Sequence, residues 1–326
     1  MHSPQFLSLA KMKFILIAIL FFLSPLKRAL CQPLLSIDGF SWAENLVFDG
    51  KGNLFVSEAV RGEIWRIFLS ESGNYSKNIH LSEGLSQVGG MVVSPDAKYL
   101  YAGVTFDDKS QGIINVSTIE NDQYTVLTKT MHQPNGFVVD WYRSVFYYTD
   151  EGTGHDTPEG GTLRSYNLKT GEEKIAAYIP SADGAWLDER SGKLYVGELV
   201  SKRVHVYSIN DTGITLDNIY TGLSEAVSKL NLMDDLTLDK SGTNSVNMSS
   251  TVLFGADWTG KAIFKFSLDG SSVSKVDTGS IALYEPTSVR YGFGPGYRSS
   301  SIYVTEGGGA TPHVVNRRVV EIKINN

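Results

Sequence analysis

The chain has 326 residues, 42% hydrophobic and 11% aromatic, enough apolar material for a substantial core. Its net charge of −6 comes without any Lys/Arg run, which excludes a basic nucleic-acid face. The single cysteine, Cys31, excludes a disulfide framework, a zinc thiolate cluster and, after residue 31, a cysteine nucleophile.

Residues 1–31 read as a secretory signal peptide. Lys11 and Lys13 form a basic start, Phe14–Leu23 is unbroken apolar sequence, and Ala29-Leu30-Cys31 resembles a small-residue cleavage site. The apolar run falls well short of the roughly 20 residues that a bilayer span needs. Secretion and cleavage are therefore expected, with no stable membrane span afterwards. Residues 1–31 hold four basic residues and no acid, so residues 32–326 are more acidic than the whole. N-x-S/T sequons at Asn74, Asn115, Asn210 and Asn247 fall in polar stretches between or at the ends of expected strands, where glycans would point outward.

From residue 44 onward one phrase recurs six times: ENLVFD (Glu44–Asp49), GGMVVS (Gly89–Ser94), NGFVVD (Asn135–Asp140), DGAWLD (Asp183–Asp188), DDLTLD (Asp234–Asp239) and TSVRYG (Thr287–Gly292). The first positions lie 45, 46, 48, 51 and 53 residues apart. A period near 45 built from short strands marks a β-propeller, one blade per repeat. In the first repeat the expected strands are Asn45–Phe48, Leu54–Glu58 and Glu63–Phe68; in the fourth they are Ala185–Leu187, Lys193–Glu198 and Arg203–Ile209. Gly, Asn, Asp and Ser bound these runs, while Val, Leu, Tyr and Phe fill them. No sustained helical periodicity appears, although Glu225–Leu230 is briefly helix-like. The last repeat ends in a strand at Val319–Ile324. The spare extended segment Pro33–Ile37 would supply its outer strand and close the ring. The fold class is all-β: a six-bladed propeller spanning residues 32–326 as a single domain.

Four of the six first positions bear oxygen donors: Glu44, Asn135, Asp183 and Asp234. Equivalent positions around one axis would converge, and three like charges there call for a cation. A hard cation with oxygen ligands fits: calcium first, with magnesium or manganese as alternatives. Asp235, one step later in the phrase, should point away from the axis. Loops after the second strands open on the same face and carry Glu58, Phe106, Glu198, Trp258 and Glu306 as pocket residues. Two of these loops are long and glycine-rich, and they place His155 and His313 where either could move a proton.

The phrases QPNGFVVD and MDDLTLD resemble the SMP-30/gluconolactonase-like family of calcium-dependent six-bladed propellers, which is related to diisopropyl fluorophosphatase and paraoxonase. The resemblance implies calcium held by Glu44, Asn135 and Asp234, and it makes Asp234 the catalytic base or nucleophile. It implies a small-molecule lactone or related ester as substrate. Asp183 departs from the family, which commonly has Asn there. Two other readings stand beside this one: a metal-independent strictosidine synthase-like propeller enzyme, and a non-catalytic extracellular binding module.

Overall fold

The computed structural model describes residues 34–130, 134–150, 160–220, 233–238, 252–267, 272–307 and 317–324. They form six four-stranded antiparallel sheets, and the described elements are all strands. This is the six-bladed propeller expected from the period. In the first blade the strands run Ala43–Phe48, Asn53–Glu58, Ile64–Leu69 and Tyr75–Leu81, from the axis outward.

The recurring Asp at the end of the phrase has a local cause. Asp49 Oδ1 accepts the backbone N–H groups of Lys51 at 2.7 Å and Asn53 at 3.0 Å, so the carboxylate closes the turn between first and second strands. Asp140 does the same for Arg143 at 3.0 Å, and Asp188 for Arg190 at 3.2 Å.

Among the described residues the core divides into six clusters, one between each pair of neighbouring blades. Phe55, Ile64 and Leu81 of the first blade meet Leu100 and Ala102 of the second. Leu46 and Leu54 on the other face of the first blade meet Tyr303 and Val319 of the sixth. The remaining four clusters repeat this arrangement around the ring. Each second strand is therefore packed on both faces. This is why NLFVSE and KLYVGE are nearly continuous in apolar or small residues and nearly continuous in burial.

The ring closes as the spare N-terminal segment suggested. Ser36–Asp38 pairs antiparallel with Arg318–Val320 and becomes the outer strand of the sixth blade. The Leu35 N–H donates to Glu321 Oε2 at 3.0 Å, and Arg298 Nη1 donates to both carboxylate oxygens at 2.8 and 2.7 Å.

One expectation needs correction. Asn115 does not sit between strands or at a strand end: it lies within Gln111–Ser117, the third strand of the second blade, paired on both sides and half-buried. A glycan there would have to leave from within a paired sheet. Asn74 and Asn210 are exposed, at a turn and a strand end. Asn247 and the helix-like Glu225–Leu230 lie outside the described residues, as do residues 1–31.

Candidate functional site

The first two positions of the phrase are irregular. In five blades the first and second strands slip register there: between Ala43 and Leu46, Val88 and Met91, Ala182 and Ala185, Met233 and Leu236, and Pro286 and Ser288. Such a bulge bends the strand and re-aims its side chains. The oxygen donors of blades one, four and five ride on these irregularities.

The first position forms an upper ring of polar groups. Asn135 Nδ2 donates to Asp183 Oδ1 at 2.8 Å, joining the third and fourth blades. That bond uses the amide nitrogen, so the orientation suits the amide oxygen as a cation donor. Glu44 Oε2 accepts the Trp42 indole N–H at 2.6 Å, and Trp42 packs against Trp258 with ring centroids 5.8 Å apart. Asp183 and Asp234 are buried, while Glu44 and Asn135 are partly exposed. The side chains do not gather all three carboxylates into one cluster: among the described residues no three His, Cys, Asp or Glu groups stand close enough to hold a metal ion. The donor chemistry fits a hard cation, and the structure brings Asn135 and Asp183 of the four side chains into direct contact.

The second position forms a waist. In blades two, three and four it is Gly90, Gly136 and Gly184. A Cβ on Gly136 would overlap the carbonyl oxygen of Asp183, and one on Gly184 would fall 2.5 Å from the Asp235 Cα. Only glycine lets each inner strand approach the ligand-bearing turn of the next. In blades one, five and six the position is Asn45, Asp235 and Ser288. The Asp235 carboxylate accepts Asn45 Nδ2 at 3.2 Å, the Ser288 hydroxyl, and Arg290 Nη1 at 2.5 Å. Its charge is thus matched below the upper ring.

The acids expected to line the pocket are turned to another task. Glu58, Glu198 and Glu306 end their second strands 0%, 2% and 0% exposed. Glu58 accepts the backbone N–H groups of Ser41 and Trp42, the latter at 2.8 Å, fixing the turn that leads into Glu44. Glu306 accepts the Tyr284 N–H at 2.7 Å and Arg318 Nε at 2.5 Å. Glu198 Oε1 lies 2.6 Å from His205 Nε2. Each of these carboxylates braces a loop or strand end through at least one oxygen. Phe106 is buried under Tyr124 and the Lys129 ammonium, 3.7 Å from its ring centroid. Trp258 is the pocket residue that the structure brings beside the ring, through Trp42. Trp42 itself was not singled out in the sequence, although its W-x-E spacing from Glu44 was a signal. His155 and His313 lie outside the described residues.

Two of the bracing acids shift in opposite directions. Burial pushes the Glu306 carboxyl up despite its bonds to Arg318 and Tyr284. Burial would also raise Glu198, but hydrogen bonds from His205 and Ser201 outweigh it and hold it below the usual carboxylate value. A depressed folded value stabilises the fold above the unfolded pKa of about 4.3, and this contribution fades as pH falls below it. Glu198→Gln should therefore cost about 2 kcal/mol at pH 7, the scale of a charged hydrogen bond. The difference from wild type should close toward pH 3. Urea midpoints across pH 3–7 check this; a gap independent of pH would contradict it.

No family model matches the sequence, and comparison with curated proteins finds no relative. Solved structures match the fold throughout. A luciferin-regenerating enzyme superposes with a TM-score of 0.66 at 16% identity, covering 89% of this chain and 95% of that one. Regucalcin, a calcium-binding protein of Agrobacterium tumefaciens, gives 0.64 at 14% identity over 89% and 93%. A gluconolactonase of Xanthomonas campestris gives 0.63 at 13% identity over 89% of each chain. The likeness is one of six-bladed architecture.

Proposed function

We propose that this protein is a secreted, calcium-dependent hydrolase of the SMP-30/gluconolactonase type, acting on a lactone or related ester at the upper ring. The observation that carries the reading is the phase of the donors. Glu44, Asn135, Asp183 and Asp234 occupy one position of the repeat in four blades, and Asp183 already orients the Asn135 amide. Gluconolactonase and regucalcin among the structural neighbours support the same class.

Glu44, Asn135, Asp183 and Asp234 would hold the cation, which when bound supplies a Lewis acid for a substrate carbonyl. The chain's own residues would do the rest. Trp42 fixes Glu44, and with Trp258 it forms an aromatic wall against which an apolar part of the substrate can rest. Asp234 would take up a proton from water or attack the carbonyl directly. Cleavage near Cys31 would release residues 32–326 into the secretory lumen.

Purified secreted protein should contain calcium and lose activity toward γ- and δ-lactones or aryl esters in EDTA. At a hundredfold excess over Kd, calcium should add about 2.7 kcal/mol of stability, a Tm rise of roughly 5 °C for a domain of this size. Asp234→Ala should lower turnover by about 10²–10⁴-fold, the scale of a lost general base. Full activity without metal would overturn the reading, and so would unchanged turnover in Asp234→Ala. N-terminal sequencing of the secreted chain tests cleavage; a chain still beginning at residue 1 would remove that part.

A further inference from the structure

The fourth position of the phrase also forms a ring, at the opposite end of the axis. Its members are Val47, Val92, Val138, Trp186, Thr237 and Arg290, one from each blade. All six line a single cavity of about 650 Å³, bounded below by the ends of the inner strands. That volume lies within the roughly 300–1,000 Å³ of small-molecule sites. The upper-ring donors take no part in it.

We propose that this lower cavity is a second ligand site, which takes a neutral, flat, largely apolar molecule carrying one hydrogen-bond acceptor. The walls are branched aliphatic side chains and two indoles, Trp141 and Trp186, so most of a bound molecule would meet apolar or aromatic surface. The buried charge in the lining is already matched, and Glu189 and Arg190, which also line the cavity, are exposed to solvent. Arg290, 8% exposed, lies 5.3 Å from the Trp186 ring, and its Nη1 bonds Asp235 and the carbonyls of Leu236 and Val289. Asp49 and Asp188 accept turn N–H groups at the rim. A buried ionic ligand would lose hydration with no buried unmatched charge to replace it, whereas a neutral one would not. Among the described residues Arg290 bonds through Nη1, so its remaining N–H groups, with the Thr237 hydroxyl, are donors for one carbonyl. The site stands whether or not the upper ring is a lactonase.

The probe is 6-propionyl-2-dimethylaminonaphthalene, a neutral planar ketone whose emission moves to the blue in apolar surroundings. Wild-type protein should bind it at one saturable site, with the same affinity in EDTA and in Asp183→Ala. Val92→Trp and Val47→Trp, which fill the cavity, should each weaken binding by about tenfold or more, or at least 1.4 kcal/mol. Non-saturating emission would overturn the proposal. So would unchanged affinity in a folded filling variant, or affinity lost in Asp183→Ala. Hydrogen–deuterium exchange on the unmodified protein decides the matter if the filled variants do not fold. Slowed exchange across residues 91–95 and 186–190 supports the site, and exchange slowed only around residues 41–45 and 183 overturns it.

Discussion

Asp235→Ala should destabilise the protein by about 3–5 kcal/mol, the cost of stranding one member of a buried ion pair. Arg290 would keep its charge with its side chain only 10% exposed, and Asn45 and Ser288 would each lose an acceptor. The three partners come from the first and sixth blades, so the loss should loosen the ring on that side. Denaturant titration followed by tryptophan fluorescence measures the effect. The double variant Asp235→Leu/Arg290→Leu should recover much of the stability, because removing both charges removes the stranded one. A single-variant loss below about 1 kcal/mol would mean that the ion pair is replaceable by water, against the burial seen here.

Gly136→Ala should cost about 3 kcal/mol or more, at the upper end of overpacking. The added methyl would meet backbone on the neighbouring inner strand, including the Asp183 carbonyl oxygen and the Ala185 nitrogen at 2.6 Å, with no flexible side chain to give way. Because Asp183 belongs to the upper ring, the calcium affinity proposed for that ring should fall with stability. Gly73→Ala is the control: nothing stands within 4 Å of its Cβ position and φ is +83°. It should cost only the roughly 1–2 kcal/mol of a left-handed backbone, without touching calcium affinity. Equal losses at the two positions would place the effect in backbone propensity rather than in contact between blades.

The inner and second strands were legible because burial leaves a mark on residue type. Lys193–Glu198 was read with the bounds observed, since a strand packed on both faces between turn residues has few alternatives. The outer strands Tyr75–Leu81 and Gly213–Tyr220 were not read. They are largely part-exposed or exposed on both faces, so no alternation distinguishes them from loop. The phase of Glu44, Asn135, Asp183 and Asp234 was visible, but the bulges beneath it were not, because register is a property of two strands together. Counting separated Asp235 from the donor position, but the expectation that it points away from the axis was wrong: its carboxylate turns inward to Ser288 of the sixth blade and Asn45 of the first, partners that counting could not name. Ser288 lies 53 residues away and Asn45 lies 190 away, joined only by closure of the ring. Glu58, Glu198 and Glu306 looked like pocket acids because their loops open on the right face. Their inward turn toward Trp42, His205 and Arg318 is fixed by tertiary packing.

Pairing of Ser36–Asp38 with Arg318–Val320 has a consequence for the order of events during synthesis. Leu35 and Glu321 are 286 residues apart, so at a ribosomal rate of about 5–20 residues per second their meeting waits roughly 15–60 s. For that time the earliest strand has no partner, and the first blade presents Leu46 and Leu54 without Tyr303 and Val319 to cover them. Blades one to five can stack as they emerge, in an open arc with an uncovered face at each end. The sixth blade is then both the last to be made and the one that joins the two ends.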